Sequence, residues 1–382
     1  MKRNGWGFVV QNALAIVGAI VGIGFVSGKE IVTFFFKFQG LGFLLAGLSC
    51  FGLFLCVVFM AKKDSNDRRR RCTNMYFFGK EKCNNEIICG QKNCKFDAKL
   101  MKNGTSFCKN NKNFAQIRNC IIGCFQVVIS GCMIAGIFDL VDQVFESNYF
   151  LKFAIVVILL IVIFVLLMCL SGGVLKLSGI MTFVLISVMA VTLVIGFVNA
   201  SNDEIIYIFD GSKSNVFGGV WSCVFYVSMN VLSCTGVIEN VKKKSRSMKQ
   251  VFGVGAIASV ILFLMIFLII SIYDIYPTLV IETMPLLALA RMTGGWLYSL
   301  YFCALFVGSV LALLSVCYSS IVSFGFENKV DSKKVGGVLV VGFLISLAGF
   351  DFLIDYIYPL IGLLFLILSV LNYLFMFLKT AK

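Results

Sequence analysis

The chain has 382 residues, of which 59% are hydrophobic and 14% charged, whereas a soluble domain carries about 25% charge. So much apolar sequence exceeds the interior of a soluble globule of this size, and the composition excludes a disordered chain, a coiled coil and a secreted disulfide scaffold. The formal charge of +14 raises the idea of a nucleic-acid binder, and the placement of the charges decides against it.

Ten stretches lack Asp, Glu, Lys and Arg: 4–28, 38–61, 119–138, 153–175, 177–202, 214–238, 250–273, 292–326, 335–350 and 356–378. Nine reach the roughly 20 residues that a membrane-spanning helix needs; 335–350 is shorter, and 292–326 is the longest. The stretches do not alternate polar and apolar residues as barrel strands do. An all-α integral membrane protein of ten transmembrane helices is therefore predicted. Lys2 and Arg3 precede the first run and Ala13-Leu14-Ala15 mimics a signal-peptide cleavage site. The apolar stretch continues to Gly28, so a retained helix is read.

Charge placement tests this count. With the N-terminus in the cytoplasm, ten helices return the C-terminus there too. All but Lys29, Lys37, Lys152, Lys213 and Arg291 of the 33 Lys and Arg then fall on the cytoplasmic side, and more than half of the 19 acids fall in outer loops. This is the positive-inside pattern. The net charge reports orientation and attraction to lipid head groups, and no domain-sized soluble region exists to bind nucleic acid. The chain reads as a single transmembrane domain, 1–382, whose partners are the bilayer and a small-molecule solute. Its oligomeric state is left open.

The one sizeable hydrophilic segment, 62–118 between the second and third helices, is expected to be a cytoplasmic, basic, Cys-rich loop. It carries Arg68 to Arg71, and Cys72, Cys83, Cys89, Cys94 and Cys108. A zinc site would use thiolates such as Cys83, Cys89, Cys94 and Cys108. Structural zinc sites pair ligands at C-x₂₋₄-C spacing, which only Cys89 and Cys94 meet, and the chain has no His. A polar loop in a reducing compartment is the plainer alternative.

Two helices carry interruptions. In the first, Gly18, Gly22, Gly24 and Gly28 fall within eleven residues and the charged pair Lys29-Glu30 follows. Glycine costs a helix about 0.8–1.0 kcal/mol relative to Ala. Close packing explains Gly18/Gly22 and Gly24/Gly28; an unwound segment facing a binding cavity also explains Gly22 and Gly24 two residues apart. In the sixth, Ser228, Asn230, Ser233, Thr235 and Gly236 cluster at mid-span, where polar groups need partners and often mark a pathway. These helices open the first and second sets of five. Interruptions at corresponding places in two halves point to a transporter site between inverted repeats.

Residues 18–36, with a G-x-G-F-x-S-G-x-E-I core, and Tyr226-x-x-x-Asn230 resemble the YkvI-type bacterial membrane proteins. More distantly, Gly22-Ile23-Gly24 resembles the unwound first helix of LeuT-fold transporters in the amino acid–polyamine–organocation superfamily. The resemblance implies a 5+5 inverted repeat with broken helices 1 and 6 and a multi-pass protein of the bacterial cell (inner) membrane. Its substrate would meet Gly22, Ile23, Gly24, Phe25, Ser228 and Asn230. It also implies a coupling sodium site formed by carbonyls of Ala19 and Gly22 with the hydroxyls of Ser319 and Ser320; the superfamily includes proton-coupled and ion-independent members. Lys29 and Glu30 are read as a gate or as lipid-facing charges.

The expected function is secondary transport of a small solute, an amino acid or related zwitterion, by alternating access, with Na+ or H+ as coupling ion and no other cofactor. The alternative is a ligand-sensing receptor subunit of the spore-germinant type. No Asp, Glu or His is placed at mid-span, which argues against a carboxylate proton relay. No catalytic constellation lies in the spans, so no enzyme is expected.

Overall fold

A computed structural model describes residues 5–61, 98–144, 149–169, 174–200, 215–245, 247–324 and 332–380. Among them the regular structure is entirely helical. Eight helices are long and apolar enough to cross a membrane: Leu41–Ala61, Gln116–Asp142, Phe150–Cys169, Thr182–Ala200, Val216–Lys242, Met248–Ile275, Gly295–Ile321 and Phe350–Leu371. The first and ninth sequence stretches also fall on helices, but each is too short alone: α1, Gly5–Ile20, has 16 residues and Ser332–Ser346 has 15.

The chain begins α1 (Gly5–Ile20), α2 (Ile23–Ser27), α3 (Lys29–Phe34) and α4 (Leu41–Ala61). The expected break in the first helix is present. Val21 N–H still donates to Val17 at 2.8 Å, but Gly22 N–H reaches only Ile20. Gly22 is extended, at φ −92° and ψ −171°, and a second corner follows at Gly28, whose φ of 87° lies in the left-handed region that glycine adopts without steric cost.

Next come α5 (Ala98–Asp142), α6 (Tyr149–Cys169) and α7 (Val174–Ala200). The hydrophilic segment expected as a loop to residue 118 is helical from Ala98, continuous with α5. At about 1.5 Å per residue, this 45-residue helix outruns a hydrocarbon core of about 30 Å. Cys83, Cys89 and Cys94 lie outside the described residues; Cys108 falls on the first part of α5.

The sixth stretch forms α8 (Val216–Lys244), started by Asn215, whose side chain accepts from Gly218 N–H at 3.1 Å. The interruption expected at 228–236 is absent: α8 is continuous. The polar side chains that suggested a break bond to their own helix instead. Asn230 Nδ2 donates to Tyr226 O at 2.9 Å, Ser233 Oγ to Met229 O at 3.3 Å and Thr235 Oγ1 to Leu232 O at 2.9 Å. Such back-bonding satisfies hydroxyls without opening the ladder.

The chain closes with α9 (Met248–Ile275), α10 (Pro285–Thr293), α11 (Gly295–Ser323), α12 (Ser332–Ser346), α13 (Phe350–Phe352), a π turn at Leu353–Ile357 and α14 (Tyr358–Thr380). Helix α10 was expected as outer loop. Proline at its first turn sets the helix, and Leu286, Leu287, Leu289 and Ala290 are buried, packed towards α11, α7 and α2.

Segment α1 is the central element, packed between α7, α8 and α9; Ala13, Ile16 and Val17 are essentially inaccessible. Around it α4 lies on α8 and α9, α5 on α11 and α12, α7 on α11, and α14 on α8. Small residues permit the closest approaches. A Cβ at Gly362 of α14 would stand 3.0 Å from Phe225 Cα of α8, and one at Gly131 of α5 would stand 3.0 Å from the Gly342 carbonyl of α12. Lipid is as apolar as Leu, so such packing, not water exclusion, holds spans together. The outward faces are apolar: Leu44, Leu48, Phe51, Leu55 and Phe59 form an exposed stripe along α4, where a water-facing helix would be polar.

Candidate functional site

Every residue from Val21 to Glu30 is buried. This segment holds the helix break, the Gly28 corner and two charged side chains. It brings Gly22, Ile23, Gly24 and Phe25 of the expected substrate set into the core, and Ser228 and Asn230 are buried on the neighbouring α8, at 8% and 1% exposure. Ala19, assigned to the ion site, is half-buried on α1.

Several bonds hold the corner in shape. Ser27 Oγ donates to Gly24 O at 3.0 Å. The fully buried Tyr301 of α11 donates to Val26 O at 2.6 Å. Ser222 of α8 donates to Phe34 O at 2.8 Å. A Cβ on Gly24 would come within 3.0 Å of Glu30 Cδ, so Gly24 admits the carboxyl to the inside of the bend.

The two charges expected as a gate separate. Lys29 Nζ pairs with Asp351 Oδ1 at 3.0 Å, and one turn on, Thr33 Oγ1 donates to Asp355 Oδ1 at 2.6 Å. Segment α3 is thereby tied to the start of the last span, where the π turn widens the helix. Glu30 points the other way and is 2% exposed. Among the described residues its Oε2 has no hydrogen-bond partner. Glu30, read from the sequence as a gate or a lipid-facing charge, is thus buried inside the bundle. Glu30 sits just past an apolar run, and only the continuation of the chain as α3 folds it inside.

Glu30 lies within electrostatic range of Tyr226 on α8, Cys132 on α5 and Tyr358 on α14. Tyr226 is fully buried, with the rings of Phe34 and Phe35 edge-on at 5.4 and 4.8 Å. Its hydroxyl and Asn230 Oδ1 also lack hydrogen-bond partners. Asn230 lies beside that hydroxyl, though the pair falls outside hydrogen-bond geometry. Tyr226 opens the Tyr226-x-x-x-Asn230 motif, and its neighbourhood to Glu30 depends on the contact of α3 with α8.

Ser320 Oγ is buried and donates to Gly123 O of α5 at 3.1 Å, and Ser323 donates to Gln126 nearby. A narrow crevice between α1, α7 and α11 is lined by Gly18, Val21, Thr182, Leu185, Gly308, Leu311 and Ala312. Neither serine lines it, and α11 meets α1 there about two turns before Ser319. Among the described residues no three potential metal-ligating side chains gather.

Together these features define an α-helical membrane protein of several spans with a buried polar break at its centre. No protein-family model and no curated protein matches the sequence.

Proposed function

We propose that the chain is a secondary transporter of a small solute, an amino acid or related zwitterion, working by alternating access in a bacterial inner membrane. The carrying observation is the wholly buried segment Val21–Glu30, broken at Gly22 and Gly28. Non-helical backbone and unpartnered polar groups at the heart of a bundle are costly. Membrane proteins tolerate them where they line a solute or ion path.

In this reading there are ten spans, with α1–α3 acting as the first and α12 as the ninth, and both termini are cytoplasmic. The packing pattern supports a five-plus-five repeat. Exchange each span with its counterpart five spans on, and several neighbouring pairs map onto neighbouring pairs. The α1–α9 pair is matched by α8–α4, α1–α7 by α8–α14, α5–α12 by α11–α6, and α7–α11 by α14–α5. An odd number of spans per half makes such repeats inverted. The solute lies against Gly22, Ile23, Gly24, Phe25, Ser228 and Asn230, and the Lys29–Asp351 pair closes the outer side. Coupling is to Na+ or H+.

Uptake of labelled amino acids by proteoliposomes of the full chain, with and without sodium and a proton gradient, tests the proposal. Concentrative, gradient-dependent uptake supports it. Ligand binding without flux replaces it by the sensing receptor, and neither binding nor flux overturns both.

A further inference from the structure

Three buried polar atoms on the touching helices α3 and α8 lack hydrogen-bond partners among the described residues: Glu30 Oε2, the Tyr226 hydroxyl oxygen and Asn230 Oδ1. Their residues are 2%, 0% and 1% exposed, so bulk water does not satisfy them. Native proteins leave few such groups, and each calls for a partner. Two of the three atoms accept when Glu30 is ionised, and the hydroxyl can accept as well as donate. Among the described residues no ion pair reaches Glu30, and Lys29, the neighbouring residue, is paired with Asp351.

We infer that Glu30, Tyr226 and Asn230 form the receptor for a protonated amine on the solute. The donor count selects this occupant. An ammonium group presents three N–H donors, one for each unpartnered acceptor. A proton on Glu30 would bring one donor to these atoms, fewer than an ammonium group supplies. A bare metal cation gathers roughly six or more oxygens, as Ca²⁺ and Mg²⁺ do, and these side chains supply half of that. The rings of Phe34 and Phe35 around Tyr226 add the aromatic wall that attracts organic cations. Gly24 belongs to the same device, since only a residue without Cβ lets the carboxyl sit inside the bend.

The inference rests on the solute-site reading above, and its test separates the two. Thermal stabilisation of the purified full chain in detergent is measured with amino acids, with the matching 2-hydroxy acids, in which hydroxyl replaces amine, and with the matching decarboxylated amines. Amino acids or amines are expected to stabilise the wild-type protein while their hydroxy acids do not. Glu30→Gln is expected to weaken that binding at least about tenfold, as loss of a charged hydrogen bond does. Glu30→Asp, which keeps the charge, retains part of it and covers the case in which the Gln variant does not fold. Equal binding of hydroxy acids, wild-type affinity in a folded Glu30→Gln, or no stabilisation by any amine each overturns the inference. So does unchanged amine binding with loss only of proton-driven uptake, which would make Glu30 a proton carrier. Amine binding that depends on Glu30 without any flux upholds the inference and refutes transport.

Discussion

Replacing Gly28 by Ala tests whether the corner between α2 and α3 is built as described. Gly28 holds φ 87° and ψ −8°, a conformation that costs an L-residue roughly 1–2 kcal/mol. A Cβ there would overlap the Tyr273 hydroxyl and stand 3.0 Å from Leu286 Cγ. Tyr273 and Leu286 are both fully buried, so neither swings aside, and overpacking of this kind costs about 1–3 kcal/mol. Gly28→Ala should therefore destabilise by about 2–5 kcal/mol, read from unfolding of the purified protein in mixed detergent micelles. The Tyr273 hydroxyl has no hydrogen-bond partner among the described residues, so Tyr273→Phe alone should be near neutral or mildly stabilising. In the double variant the worst overlap is gone while the backbone cost stays. The pair should thus be less destabilising than the sum of the singles by about 1 kcal/mol or more. Strict additivity, or a Gly28→Ala protein as stable as wild type, would refute this geometry.

Other outcomes follow from the same packing. Tyr301→Phe removes the 2.6 Å bond to the Val26 carbonyl and should cost about 1–3 kcal/mol in the same unfolding assay, because that carbonyl is then left buried without its donor. Gly362→Ala pushes a Cβ against the Phe225 backbone, which cannot change rotamer, and should cost about 1–3 kcal/mol and loosen α14 from α8, seen as faster cross-linking or proteolysis at that end. Lys29→Met should cost no more than about 1 kcal/mol, since Asp351 is half-exposed and solvent screens the pair. Asp351→Asn should cost more than Lys29→Met, because it leaves a buried ammonium facing a neutral amide; the reverse order would count against the pairing.

A break near Gly22 was legible, although Ile23–Ser27, expected as part of the unwound stretch, is helical. Two glycines spaced two apart near the end of an apolar run do not propagate a helix well, and the structure breaks at Gly22. The polar cluster on α8 looked like a second break and is not one. Ser, Thr and Asn have the same composition whether they leave a helix or bond back to it, and here Asn230, Ser233 and Thr235 bond back. Glu30 was read at a rim because charges usually end apolar runs. Helix α10 escaped because nine residues are too few to register as a span. Ser319 and Ser320 resemble the hydroxyl pair of a known fold, and only the packing shows that Ser320 donates to Gly123 of α5.

Sequence alone determined the solvent, the approximate number and order of helices and the place of the first break. These follow from local composition: apolar length, charge at segment ends and glycine density act within a few turns of the chain. Only the tertiary structure decided which polar groups meet. The crossing of α3 with α8 places Glu30 near Tyr226, and the turn at Gly28 directs Lys29 to Asp351 and its neighbour Glu30 inward. Adjacent residues on a helix point about 100° apart, so which of two neighbouring charges faces the core depends on how the whole segment packs, and no local pattern records it.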